Sequence, residues 1–192
     1  VPLASLAGSK FGVHIVETYL MLGALICAVV GAASDARARR IPNWLTYSSL
    51  TSGVAAHTML GSWHGLGQAL GGLMVGGGVF FLLFLVRGMG AGDVKLMAAV
   101  GAWAGLRQSV VLLIATALAG GVLAVFYMVF YGRVGSTVVN AGELVRFHLA
   151  SGVKPHPELN LESKSALRMP YGLAIAAGTF YLFLSTATFW RG

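Results

Sequence analysis

Long apolar runs alternate with short polar breaks along most of this chain. A hydrophobic helix needs about 17 to 25 residues to cross the hydrocarbon of a bilayer. On that basis the pattern predicts six spans, roughly 13–33, 44–60, 66–86, 94–107, 109–131 and 169–190. The fourth is short, which predicts a helix that is tilted, extended into the preceding loop or partly re-entrant. The break from Gly61 to Gly65, which carries His64 but no Lys or Arg, reads as a tight hairpin. The stretch 132–168 is the longest polar one. Its first half places Val134, Val138, Val139, Val145 and Leu149 around Glu143 and Arg146, a spacing that fits a helix lying at the membrane interface. Its second half, Lys154-Pro155-His156-Pro157-Glu158, reads as irregular loop.

Composition fixes the class. With 57% hydrophobic residues, 10% charged, a mean hydropathy of +0.79 and 27 glycines in 192 residues, the chain reads as an all-α polytopic membrane protein with one transmembrane domain over 1–192. A soluble domain of this length could not hide so much apolar surface. The glycine clusters Gly71-Gly72, Gly76-Gly77-Gly78 and Gly120-Gly121 suit close helix packing. The first ten residues lack a charged n-region followed by a small-residue cleavage site, so a cleavable signal peptide is not expected. The single cysteine, Cys27, excludes an internal disulfide and a multi-cysteine zinc site. His14, His57, His64, His148 and His156 show no ligand spacing with acids, so neither a metal nor another cofactor is expected.

Lys and Arg near helix ends are retained on the cytoplasmic side. An N-terminus outside puts Arg37, Arg39, Arg40, Arg87, Lys95, Arg133, Arg146, Lys154, Lys164 and Arg168 on the cytoplasmic side, ten of the 13 basic residues, and leaves Lys10, Arg107 and Arg191 outside. The opposite orientation inverts those counts. The net charge of +7 is thereby accounted for by orientation and by contact with anionic lipid headgroups, and no nucleic-acid partner is implied. Oligomeric state is not legible at this level.

Only two aspartates occur, Asp35 and Asp93, each where an apolar run meets basic residues. Ionisable groups at a membrane boundary are costly and point to a functional site with a nearby partner. The topology sets Asp35 just past the cytoplasmic end of span one and Asp93 at the cytoplasmic start of span four. Two carboxylates at one depth can do aspartic-protease chemistry, an ionised one activating water and a protonated one hydrogen-bonding the scissile carbonyl. The plainer alternative is that each caps or snorkels at a helix end. Before Asp93 come Gly88, Gly90 and Gly92, glycines that disfavour helix and suggest irregular backbone with room for a substrate chain. After Asp35 a basic turn and the Pro42-Asn43 break lead into span two, with Trp44 at the interface.

Together these stretches resemble the prepilin peptidases, the type IV leader peptidase family of intramembrane aspartic proteases with a Gly-x-Gly-Asp motif. Three pieces carry the resemblance: Asp35 with Arg40-Ile41-Pro42-Asn43, then Gly90-x-Gly92-Asp93-x-Lys95-Leu96, then Pro170-Tyr171-Gly172 opening the last span. It covers the chain from about 15 to 190. The resemblance implies that Asp35 and Asp93 are the catalytic pair at the cytoplasmic face of a bacterial inner membrane. It implies prepilins or pseudopilins as substrates, cut between a basic leader and the hydrophobic helix that follows. Longer members carry a cytoplasmic domain with zinc-binding cysteines, and many also N-methylate the new amino terminus. This chain has no such insertion and no cysteines for the metal, so it resembles the short form of tight-adherence (Flp-type) pili, and methylation is not carried over.

Physical reasoning adds roles. Asp93 starts a helix, whose positive pole favours the carboxylate, and Asp35 follows the end of one, whose negative pole favours the acid, so the expectation is a base at 93 and an acid at 35. Lys95 points away from Asp93 on a regular helix and reads as an interfacial anchor or lipid contact, with direct catalysis as the alternative. Asn43 is expected to cap span two. The rival function is a small ion-coupled transporter or channel component that uses Asp35 and Asp93 for a cation or protons, although such sites tend to lie at the bilayer midplane.

Overall fold

The computed structural model describes residues 10–132, 134–152 and 169–188. Among these there is no strand. The helices are α1 (Lys10–Ala38), α2 (Asn43–Leu85), α3 (Ala91–Phe130), α4 (Val134–Ser151) and α5 (Gly172–Thr188). Three of them, α1, α2 and α3, are long and apolar enough to cross a membrane, and α5 is a shorter apolar helix. The protein is an all-α membrane protein.

With 43 and 40 residues, α2 and α3 would each be about 60 Å long if straight, twice the hydrocarbon thickness. Neither is straight. Each is interrupted at one non-helical residue, Ser62 (φ 50°, ψ −134°) in α2 and Gly105 (φ 77°, ψ 170°) in α3. Lys95 meets Asn43 and Trp103 meets Ser49, so residues 95–103 run parallel to the first part of α2. Gly76 lies against Met97 and Gly72 against Gly101, so the same residues run antiparallel to the second part. The two parts of α2 are therefore antiparallel legs, α2a before Ser62 and α2b after it. In α3, Ser109 Oγ donates to the carbonyl of Gly101 at 3.2 Å across eight residues, a span of about 12 Å in a straight helix. The chain turns back there as well, from leg α3a to leg α3b. Gly105 suits the turn because its positive φ disfavours residues with a Cβ.

The central leg is α3a. Leu96, Met97 and Val100 are fully buried on it, and Trp103 packs against Gly23 of α1 and Gly53 of α2a. Without water to expel, packing in a membrane favours close van der Waals approach. At Gly72 and Gly101 a Cβ on either residue would strike the carbonyl of the other. Exposed Leu118, Val122 and Phe126 line the outside of α3b.

The expected end of the first span, near residue 33, needs correction for the helix itself: α1 continues to Ala38. Hydrocarbon thickness limits the apolar run, whereas the helix continues through alanines and an arginine, all good helix formers. It stops at Arg39, which has φ 50°, and Ser34 Oγ donates to the Arg40 carbonyl at 2.8 Å. In the long polar stretch, α4 spans Val134–Ser151. The second half of that stretch, 153–168, with Lys154, Lys164 and Arg168, lies outside the described residues, as does Arg133.

Candidate active site

Both turns, at Ser62 and Gly105, lie at one end of the bundle, and the aspartates lie at the other. Asp35 stands inside the last turn of α1, not beyond it. Its Oδ2 accepts the backbone N–H of Gly172, the first residue of α5, at 3.1 Å. The contact requires a bare backbone: a Cβ on Gly172 would lie 3.1 Å from Ala32 Cα and equally close to Asp35 Cβ and Oδ2.

Asp93 is the third residue of α3, whose N-cap is Gly90. Its carboxylate takes the Gly90 N–H, and its own N–H donates to the Gly90 carbonyl at 3.1 Å. This is the reciprocal arrangement of a capping box, with the acid serving as the returning side chain. The turn before it closes α2 with Gly88 N–H on Leu83 O at 3.0 Å and Arg87 N–H on Phe84 O at 2.9 Å. That is a Schellman motif with Arg87, at φ 57°, in the left-handed position. Met89 is buried in the core and pins the turn.

Of the three alternate glycines expected to make irregular backbone, Gly88 and Gly90 do lie outside helix, but Gly92 is inside the first turn of α3. Gly90 has ordinary extended backbone (φ −81°, ψ 147°), and a Cβ there would approach only Asp93 Oδ2. A Cβ on Gly92 would reach Ile41 at an ordinary contact of 3.4 Å. Neither glycine is demanded by its own conformation: the missing side chain at Gly90 would stand beside the Asp93 carboxylate, and the one at Gly92 would face Ile41.

The two motif stretches clasp each other. Ile41 faces Gly92, and Lys95 Nζ donates to Asn43 Oδ1 at 3.0 Å while lying 5.7 Å from the centre of the Tyr47 ring. Asn43 therefore does not cap α2: the N-cap is Pro42, with no side-chain cap bond, and the Asn43 side chain is turned to Lys95. Pro170 precedes α5 and its carbonyl accepts the Leu173 N–H at 3.1 Å.

The charge of Asp35 acts on Asp93, so the carboxylates are neighbours. Two adjacent carboxylates resist double ionisation, and such a pair can hold one proton between them. The expected asymmetry of roles loses its footing. Asp35 meets the positive pole of α5, which offsets the negative pole of its own helix, and each acid receives one backbone N–H.

Tyr171 enters the sequence reading only as the middle of Pro170-Tyr171-Gly172 and receives no role there, because an aromatic at the start of an apolar helix reads equally well as an interfacial anchor. Its phenol feels the charge of Asp93, its ring meets Phe80 edge-on at 5.9 Å, and its hydroxyl sits against Gly120 of α3b. Among the described residues no three His, Cys, Asp or Glu side chains gather where a metal ion could be held.

A model of the type IV leader peptidase family matches residues 20–125. That is more than half of the 192 residues, and the chain belongs to this family. The matched stretch contains Asp35, Pro42, Asn43, Gly90, Gly92, Asp93 and Lys95, and ends before Pro170 and Gly172. No curated protein and no solved structure matches the chain.

Proposed function

We propose, from this membership, that the protein is an intramembrane aspartic endopeptidase that removes the basic leader from prepilins or pseudopilins. The observation that carries the reading is the meeting of the chain's only two aspartates at one end of the bundle. The distribution of Lys and Arg supports an orientation with that end at the cytoplasm, the N-terminus outside and six crossings in a bacterial inner membrane. Anionic lipid at the same face is the expected second partner. The lack of a cysteine-bearing insertion supports assignment to the short form found with tight-adherence pili.

In the reaction the ionised aspartate takes a proton from water as the water oxygen adds to the scissile carbonyl carbon. The other aspartate gives its proton to the carbonyl oxygen, forming a neutral gem-diol. Collapse re-forms the carbonyl and breaks the C–N bond. The amide nitrogen leaves with the proton taken from water, and a diol proton returns to the dyad, leaving a carboxylic acid and a free amine. Gly90, bare beside the Asp93 carboxylate, leaves room for the substrate backbone, and Gly92 lets Ile41 pack close to the start of α3. Gly172 holds Asp35 through its N–H, and Pro42, Asn43, Lys95 and Pro170 keep the surrounding segments in register.

The test is cleavage of a prepilin-like substrate in membranes by wild type, Asp35→Ala and Asp93→Ala, with insertion checked for each. Both variants are expected to lose cleavage by about 10³-fold or more, as when one member of a catalytic unit is removed. Full activity in either, with the protein inserted, refutes the dyad.

A further inference from the structure

One short turn addresses both aspartates. The backbone N–H of Gly172 holds Asp35, while the preceding residue, Tyr171, sets its phenol in the field of Asp93. The family match stops at residue 125, well before this turn. Three elements fix the phenol: its own helix start on α5, Phe80 of α2b against the ring, and Gly120 of α3b beneath the hydroxyl. Gly120 is buried, and a Cβ there would lie 2.6 Å from the phenol oxygen and 3.0 Å from Cζ. The bundle thus leaves a side-chain-free notch at Gly120 where the hydroxyl sits.

We infer that Tyr171 is a third catalytic group, its phenol donating a hydrogen bond to the scissile carbonyl oxygen as that oxygen gains charge at the Asp35–Asp93 pair. The inference rests on the peptidase reading. A phenol ionises only near pH 10, so it stays a donor at neutral pH. Being uncharged, it costs far less to hold in an apolar site than a cation would. A protonated carboxyl and a tyrosine hydroxyl acting together form an established two-donor oxyanion site. The phenol keeps its proton throughout and stabilises the step that water and the aspartates perform.

Tyr171→Phe keeps the ring on Phe80 and removes only the hydroxyl. We expect kcat to fall about 10²-fold, the effect of losing one oxyanion donor, with KM and thermal stability in detergent close to wild type. A rate within threefold of wild type, per inserted molecule, overturns the inference. Gly120→Ala supplies a second reading, because the new methyl pushes on the hydroxyl. It should slow wild type strongly and slow the Tyr171→Phe background much less; equal losses in both backgrounds overturn the inference too. Asp35→Ala and Asp93→Ala run alongside. If these retain cleavage the peptidase reading fails, whereas if they lose it while Tyr171→Phe keeps it, only the role of Tyr171 fails.

Discussion

Gly172→Ala places one methyl group between α5 and Asp35. The new carbon would lie 3.1 Å from Ala32 Cα, from Asp35 Cβ and from Oδ2, where carbon–carbon contacts prefer about 3.5–4.0 Å. Ala32 and Gly172 are both buried, and Ala32 Cα is backbone, so relief requires the start of α5 to back away from α1 by about 0.5 Å. That movement stretches the Gly172 N–H bond to Oδ2 from 3.1 Å to about 3.6 Å, beyond hydrogen-bonding range. Overpacking of this kind costs about 1–3 kcal/mol, and a hydrogen bond to a charged group is worth about 1.5–3 kcal/mol. The two share one displacement and do not simply add. Asp35 loses its fixed position, and misplacing a reacting group by a fraction of an ångström to one ångström costs up to about 10²-fold in rate. The assay is cleavage per inserted molecule together with thermal unfolding in detergent. Gly78→Ala serves as the matched control, because it lies away from the aspartates in α2 and a Cβ there would meet nothing within 4 Å. Gly172→Ala cleaving at the wild-type rate with unchanged stability would refute the claim that this contact positions Asp35.

Lys95→Met and Asn43→Ala break the same 3.0 Å bond, so the double variant should be no less stable than the worse single one, with a coupling of about 0.5–1.5 kcal/mol in thermal unfolding; additive losses would separate the two residues. Gly105→Ala puts a Cβ at φ 77° and should lower stability by about 1–2 kcal/mol, read as a reduced melting temperature. Gly72→Ala meets the Gly101 carbonyl, whereas Gly78→Ala meets nothing within 4 Å; the first should destabilise by about 1–3 kcal/mol and the second should be neutral or gain up to about 1 kcal/mol of helix propensity.

The class of fold was legible because hydrophobicity alone decides it. Apolar runs of spanning length are visible in the chain, and α1, the legs of α2 and α3, and α5 fall on the six predicted stretches. The turns were legible only approximately: the Gly61–Gly65 hairpin turns at Ser62, whereas the break after the fourth stretch comes at Gly105, ahead of Arg107. Glycine clusters announced close packing without saying which members make contact. Gly71, Gly72, Gly76, Gly77 and Gly120 do, and Gly78 and Gly121 face open space, a distinction set by helical phase against a partner the sequence does not name. At the site, the aspartates stood out through rarity and position. The partners that hold them did not, because the Gly172 N–H is a backbone group and Tyr171 and Phe80 resemble any membrane aromatic. Asn43 was misjudged as a cap because Asn beside a helix start usually is one. Here Lys95, remote in sequence, takes its side chain instead.

The end opposite the aspartates is built for rigidity, and His57 is its clearest test. The turn at Gly105 leaves the Trp103 carbonyl without the helical N–H that would follow it, and His57 Nε2 lies 3.0 Å from that oxygen. A carbonyl only accepts, so Nε2 carries the proton and donates. The same imidazole lies beside Gly105, where a Cβ would come 3.3 Å from Cε1, and Gly65 packs on the His57 carbonyl. One residue therefore ties the turn at Ser62 to the turn at Gly105. His57→Ala strands a polar carbonyl and should cost about 1–3 kcal/mol, lowering the melting temperature in detergent. Cleavage per folded molecule should stay near wild type, since the aspartates lie at the other end. His57→Gln, whose amide can donate to the same oxygen, should recover part of the stability. Loss of cleavage with stability intact would show that the two ends are coupled and that His57 does more than join the turns.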